Sequence, residues 1–295
     1  IDAIDAVYDG GVALTITTDY TVDLSNGRFT LVAAPTGIIT ADVRGAKPGG
    51  TYLTTVADIV QHLAEEYAGF THPGDFDTAS FTALNTANSA VVGIYDRETT
   101  TLASVLDRLI NSIGGFYGFD RAGKFQVGRV ELPTGTAAAE FDLTTIIEVT
   151  RLASAVPNHQ VRVNFNRNYR VMSESDFGAS ITDAKRDALV RDFSVVTATD
   201  AAILTPYPNS SALIVDTMLA ASAAASTEAS RLLTLYKTQR DFYKILVKTQ
   251  PYTLKLNDVV KITFNRYNLA SGKLFRVISI VEDAANNEVE LELWG

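Results

Sequence analysis

The chain offers three histidines for chemistry: His62, His72 and His159. None lies four residues from another, and none falls among acids at a metal-ligand spacing, so no zinc or iron pattern forms. His62 sits on the polar side of a helical stretch beside Glu65 and Glu66, where a solvated imidazole is the plain reading. Glu65 and Glu66 are adjacent, so they diverge around that helix. Asp75 and Asp77, in His72-Pro73-Gly74-Asp75-Phe76-Asp77, are close enough to share a calcium ion. The further ligands and the distal glutamate of an EF-hand are missing, and loop acids are the better reading. No Gly-x-Ser-x-Gly elbow occurs, although a Ser-His-Asp set assembled by the fold stays open from sequence. No phosphate loop or dinucleotide fingerprint occurs either. Gly114, Gly115 and Gly118 follow a helix, as cap and hairpin glycines do. Arg162, Phe165, Arg167, Tyr169 and Arg170 could stack on and neutralise a nucleic-acid strand. A positive strand face meeting an acidic neighbour suits the chain better. With no cysteine, thiol nucleophiles, disulfides and cysteine zinc sites are excluded. The expectation is a non-enzyme with no catalytic, cofactor-binding or metal residues.

The balance of charge supports that reading. Lys and Arg number 25 against 34 Asp and Glu, a formal charge of −9, and the pI is about 4.9. A chain this acidic is a poor phosphate binder. The charge is uneven: residues 51–150 carry 13 acids and 5 bases, whereas 151–250 carry 9 acids and 12 bases. Such asymmetry marks either one acidic domain or subunits that meet acidic face to basic face. The 46% hydrophobic and 20% charged fractions are those of a globular protein. No apolar run reaches the roughly 18 residues of a membrane span. The best, 212–225, is interrupted by Asp216, Thr217 and Ser222. No signal-peptide pattern opens the chain, and its start at Ile1 reads as a fragment or a processed form.

The elements that must position these residues are mostly strands. Val12, Leu14 and Ile16 alternate with polar or small neighbours. Asn26-Gly27 marks a hairpin between 20–22 and 29–32, and a further strand covers 38–43. Ala46-Lys47-Pro48-Gly49-Gly50 reads as a linker or sharp turn. Two amphipathic helices follow, over 54–69 and 100–115, each with a Thr N-cap and a Gly past its end. They align without gaps. A hairpin turning at Asp120–Gly123 comes next, then strand candidates at 140–150 and 160–165. Residues 166–206 are the least readable, with a short helix possible at 181–190. Residues 218–236 are Ala/Ser-rich and helical, and Ala220, Ala221, Ala224 and Ala225 would permit close packing on a sheet or a neighbouring chain. Five strand candidates close the chain: 242–247, 252–256, 259–264, 274–282 and 289–294. Lys255, Lys261 and Lys273 suit exposed strand faces. The fold class expected is α+β and β-rich, with small β-barrel-like domains and an α+β domain carrying the two amphipathic helices. Its regions are an N-terminal β region (1–48), an acidic α+β domain (49–150) and a β-rich region (151–295). The last contains the helix near 218–236 and a five-strand barrel-like unit (241–295).

The two ends carry a resemblance. Tyr8-Asp9-Gly10-Gly11-Val12, Asp19-Tyr20-Thr21-Val22-Asp23 and Ile39-Thr40-Ala41-Asp42-Val43-Arg44-Gly45 resemble a segment recurrent in bacteriophage structural proteins. Arg240-Asp241-Phe242-Tyr243-Lys244, Leu254-Lys255-Leu256-Asn257-Asp258-Val259-Val260 and Val289-Glu290-Leu291-Glu292-Leu293-Trp294-Gly295 resemble the β-barrel end of phage tail-tip and baseplate hub proteins. In that family a Gly commonly stands where Asn257 precedes Asp-Val-Val, and Asn also tolerates left-handed geometry. Ser112–Phe125 is similar to the same setting, whereas 166–206 matches nothing there. The resemblance implies a virion protein, made in the host cytoplasm, that forms a homo-oligomeric ring, with a trimer expected. Its barrels would continue the tail tube, and its partners would be tube, spike or fibre proteins. DNA would pass through the lumen without specific binding, and acids of 51–150 would line that lumen. A tail-borne cell-wall hydrolase or a carbohydrate-binding module are the alternatives.

Overall fold

The structure is a computed structural model that describes residues 1–96, 100–152, 154–248 and 253–295. It is α+β, as expected, and gathers around three apolar cores. The N-terminal module contains β1 (Ala3–Asp9), β2 (Val12–Ala13), β3 (Tyr20–Asp23), β4 (Arg28–Leu31) and β5 (Ile39–Arg44). β1 lies between β2 and β5 in an antiparallel sheet, and β3 pairs with β4. The turn joining that hairpin needs Gly27 at φ 61°, so the Asn-Gly signal marked the right place. The alternation over 12–16 yields only the two residues of β2, and Ile16 is exposed. The module's own core is Ile4, Val7 and Tyr20.

The central body begins with α1 (Val56–Ala68), α2 (Thr78–Ala87) and α3 (Leu102–Asn111). The Thr55 and Thr101 hydroxyls accept from the Asp58 and Ser104 amides, and Gly69 ends α1 in left-handed geometry. Both stripes face one core: Val56 and Val60 from α1, Leu106, Leu109 and Ile110 from α3. The hairpin β6 (Gly115–Phe119) and β7 (Phe125–Arg129) covers them, with Gly123 at φ 74° in its turn. Two further strands, β8 (Ala139–Phe141) and β9 (Ile146–Arg151), then leave for the C-terminal sheet.

β10 (Gln160–Phe165) is the centre of a three-stranded sheet with β11 (Ser194–Thr199) antiparallel and β12 (Ala212–Asp216) parallel. Between β10 and β11 runs an excursion carrying the short α4 (Asp183–Leu189). Behind the sheet lies α5 (Ser222–Tyr236), which presents Ala225, Ala229, Leu232 and Leu233 to Val161, Val163 and Phe165. Close approach of helix and sheet thus uses Ala225 and Ala229, while Ala220 and Ala221 precede the helix and are exposed.

The C-terminal sheet runs β8-β14-β15-β16-β13-β9, with β13 (Phe242–Val247), β14 (Val259–Ile262), β15 (Lys273–Asp283) and β16 (Glu288–Trp294). Its two edge strands are joined by residues 142–145 alone. A flat six-stranded sheet would hold its edges about 24 Å apart at strand spacing. Five Cα steps reach at most about 18 Å, and the turn is tighter still, because the Ile146 amide bonds to the Asp142 carbonyl. The sheet therefore curls into a half-barrel. Its interior holds Tyr243, Ile245, Phe275, Val277, Leu291 and Leu293, none more than 1% exposed. Strand candidates 242–247, 259–264, 274–282 and 289–294 fall on β13 to β16. Within 252–256, Tyr252 lies outside the described residues and the remainder is turn and coil.

Candidate functional site

The residues singled out for chemistry are scattered, and local structure accounts for most of them. His72 is exposed and tilts against Phe76 at 5.9 Å between ring centroids. His62 is half-buried on α1. His159 immediately precedes β10, and its Nδ1 lies 3.2 Å from the Ser210 Oγ. That hydroxyl accepts from the His159 amide and donates to the Pro157 carbonyl, so Ser210 clips a strand start and its proton is engaged. Asp75 accepts from the Thr71 amide at 2.7 Å. Asp77 caps α2 through the Ser80 amide and meets Lys255 at 3.2 Å. The two carboxylates thus serve different partners. Among the described residues, no group of three His, Asp or Glu side chains is placed to hold a metal ion. The basic-aromatic strip is broken up: Phe165 is buried in the core, whereas Arg162 is exposed on β10. Arg167 instead lies over Tyr169 at 5.3 Å and Phe193 at 5.6 Å.

Many acids of 51–150 have local work. Asp58 accepts from Asn85, Asp107 from the Tyr117 hydroxyl, and Asp120 from the Ala122 and Lys124 amides of its own turn. Asp96 pairs with Arg108, and Glu140 meets Lys261 at 3.1 Å across parallel strands. Glu98, counted in the same acidic block, lies outside the described residues.

The strongest polar grouping was not singled out by sequence. Glu228, 2% exposed on α5, accepts from Arg231 at 2.6 Å and from Arg129 at 3.2 Å. Arg231 also donates to the Val130 and Ile113 carbonyls, and Arg129 to the Ala87 carbonyl. One buried carboxylate thus ties α5 to the ends of α2, α3 and β7. Burial, and then the charge of Arg231, hold the Arg129 guanidinium below its usual range. Removing one partner of such a group strands the remaining charges away from water. A shallow cavity of about 280 Å³ opens beside it, lined by Glu131, Leu132, Ser230, Arg231, Thr234 and Leu235. The only sequence signal was the i,i+3 spacing of Glu228 and Arg231, which looks the same on a solvated helix face.

A second polar seam joins the half-barrel to the body. Arg276 on β15 donates to the carbonyls of Glu131, Leu132 and Asn257. Asn257 sits at φ 71° and sends its Nδ2 to the Arg129 carbonyl at 2.9 Å. Arg121 donates to the Leu254 carbonyl and pairs with Glu282. These bonds from charged donors to backbone set the half-barrel in a defined orientation. On its outer face Lys244 meets Glu290 at 2.7 Å. That bond, then the charges of Glu290, Glu292 and Glu148, raise the ammonium above its usual range.

These features define an α+β protein with a curled half-barrel whose polar groupings hold its parts together. No protein-family model matches the chain, and no curated protein does. Solved structures that resemble it are tail and virion proteins. A chain of the virion of the native gene transfer agent particle shares its fold at TM-score 0.51 and 18% identity, over 85% of this chain and 49% of that one. This chain thus spans about half the length of that protein. The tail protein from Neisseria meningitidis MC58 aligns at TM-score 0.47 and 13% identity, over 82% of this chain and 68% of that one. Prophage tail protein gp18 from Listeria monocytogenes EGD-e aligns at TM-score 0.41 and 12% identity, over 71% and 57%. Among the described residues, no helix is long and apolar enough to cross a membrane.

Proposed function

We propose that the chain is a non-enzymatic structural component of a phage or prophage tail, located in the tail tip or baseplate hub of the virion. Copies assemble as a symmetric ring, a trimer, that joins the tail tube to a distal spike or fibre. The observation that carries this reading is the fold shared with a virion chain at TM-score 0.51. The half-barrel supports it: its core is complete within one chain, so its outer strand faces are available for symmetric contacts. In the ring, acids of 51–150 face the lumen, where like charge keeps passing DNA from sticking.

Light scattering and negative-stain microscopy of the full-length protein test the assembly. A trimeric ring is the expected result, and a strictly monomeric full-length species overturns it. A ring structure with a positive lumen overturns the placement of the acids. Clearing of peptidoglycan in a zymogram, lost on replacing one Asp or Glu, would establish a hydrolase instead.

A further inference from the structure

The N-terminal module meets the rest of the molecule around its linker and at one contact distant in sequence, and both use glycine. The first is the linker Ala46–Gly50, all of it exposed. Gly49 and Gly50 stand at φ 61° and 87°, and a Cβ on either would meet nothing within 4 Å. Across it the Lys47 ammonium meets Asp2 at 3.3 Å, the Arg44 guanidinium lies 6.0 Å from the Tyr52 ring, and the Leu53 amide bonds to the Ala46 carbonyl. These are exposed ties of small worth, and the two glycines leave the linker room to turn. The second is a contact with the excursion between β10 and β11. The Gly178 amide donates to the Gly10 carbonyl at 2.8 Å. A Cβ on Gly10 would stand 2.7 Å from the Gly178 nitrogen, and one on Gly11 would stand 2.5 Å from the Ile181 Cδ1. A Cβ on Gly178 would stand 2.8 Å from the Val12 Cγ2. Lys185 lies over the Tyr8 ring at 4.1 Å from its centroid. Among the described residues, the module's strands pair only with one another, and its buried core is its own.

The excursion is closed on itself by local bonds and forms the post on which the module rests. Its neck is closed by the Asn168 amide to the Asp192 carbonyl and by the Met172 amide to the Leu189 carbonyl. Met172 is buried, Ser173 and Asp176 form a capping box, and Thr182 caps α4. A long connection that packs on itself in this way commonly has a task beyond linking two strands.

We propose that residues 1–44 form a swinging arm, hinged at Ala46–Gly50 and latched to the 172–189 post by the Gly10–Gly178 contact. The latch is one hydrogen bond, a few apolar contacts and one cation on a ring. It therefore opens at far lower cost than any of the three cores. Opening it uncovers the Gly10 carbonyl, the Gly178 amide and the side chains of Ile181 and Leu189, while the arm keeps its fold.

The absence of native cysteine makes the test clean. Spin labels at Thr30→Cys on the arm and Ser226→Cys on α5 report the arm's position in the full chain by electron–electron distance measurement. Gly178→Val places a Cβ against Val12 without demanding a left-handed backbone, because Gly178 is not among the glycines at positive φ. The unmodified latch gives one narrow distance. Gly178→Val gives a broad or second, displaced distribution, and proteolytic cleavage within 46–50 rises about tenfold. If Gly178→Val does not fold, Ile181→Ser with Lys185→Ala opens the same contact from partly exposed positions. A narrow, unmoved distance in an opened variant overturns the proposal. So does a distribution already broad with the latch intact.

Discussion

The half-barrel and the N-terminal module are both small antiparallel β bodies, one at each end of the chain. The half-barrel buries thirteen apolar side chains in its own core, whereas the module buries Ile4, Val7 and Tyr20. The half-barrel is bolted to the body by charged donors on backbone carbonyls, Arg276 above all. The module is held through glycines at close approach. Burial scales with area, so the first body can set the orientation of its neighbours and the second can move without endangering the rest. Strand content alone would not separate them. The number of inward-facing side chains and the chemistry of the seam do.

The contrast is sharpest in the cores. Phe275 is fully buried and meets the Tyr243 ring at 5.4 Å. Phe275→Ala should cost about 3–5 kcal/mol. The loss should be read by the single tryptophan, Trp294, which ends β16 but packs its side chain in the central core, under the Arg240 guanidinium at 5.1 Å, and so reports where half-barrel and body join. Denaturant unfolding followed by its fluorescence measures the change. An unmoved midpoint would mean that the half-barrel and the central body do not unfold together. Val7→Ala, equally buried, removes two methyl groups and should cost about 1–2 kcal/mol. Its effect should appear as faster cleavage within 1–44 and leave the Trp294 transition in place. A matching shift of Trp294 would merge the two bodies into one cooperative unit.

How much of this was legible follows from which signals are local. Caps and turns are local, so Thr55, Thr101, Gly69, Gly27 and Gly123 marked their elements correctly. α2 is absent from the sequence reading because it is Thr- and Ala-rich and buries only Phe81 and Leu84. Asp77 three residues before Ser80 is its one available signal, and the sequence reading takes it as a loop acid. Pairing across the chain is not local. Nothing near 139–151 announces that β8 joins β14 in parallel while β9 joins β13. The buried carboxylate of Glu228 was hidden for the same reason, since burial is decided by elements about a hundred residues away. Phe165 entered the strip weighed for nucleic-acid stacking, although the alternation of Val161, Val163 and Phe165 already places it on the inner face.

Asn257 tests the seam at a smaller scale. Its backbone needs left-handed geometry, and its side chain adds the bond to the Arg129 carbonyl. Asn257→Gly keeps the first and loses the second, for about 0.5–1.5 kcal/mol. Asn257→Ala loses both and should be the more destabilising of the two. The Trp294 transition ranks them, and Ala equal to or better than Gly would remove the backbone argument.

Acid should separate the two bodies by the smallest margin. The Asp9 carboxyl is held below its usual 3.8 chiefly by the Thr36 amide. Asn26 and its neighbours bring Asp23 down to about 2. Both groups lie in the module, and each gives up its proton more readily folded than unfolded. Their stabilisation is therefore complete above pH 3.8 and is lost as pH falls toward about 2. The half-barrel also has depressed carboxyls, Asp142 and Asp283 in turns and Asp241 beside β13, where it accepts from Arg151 and Ser154, but these stand beside a larger core. Protonating them should loosen two turns and the Asp241 tie to Arg151 while the thirteen-residue core keeps the sheet paired. Cleavage within 1–44 should thus accelerate on acidification before the Trp294 transition begins. Asp9→Asn should flatten that response, because the Thr36 and Gly37 amides then face a group that does not titrate. If the variant responds to acid as the unaltered chain does, the module's acid sensitivity lies elsewhere.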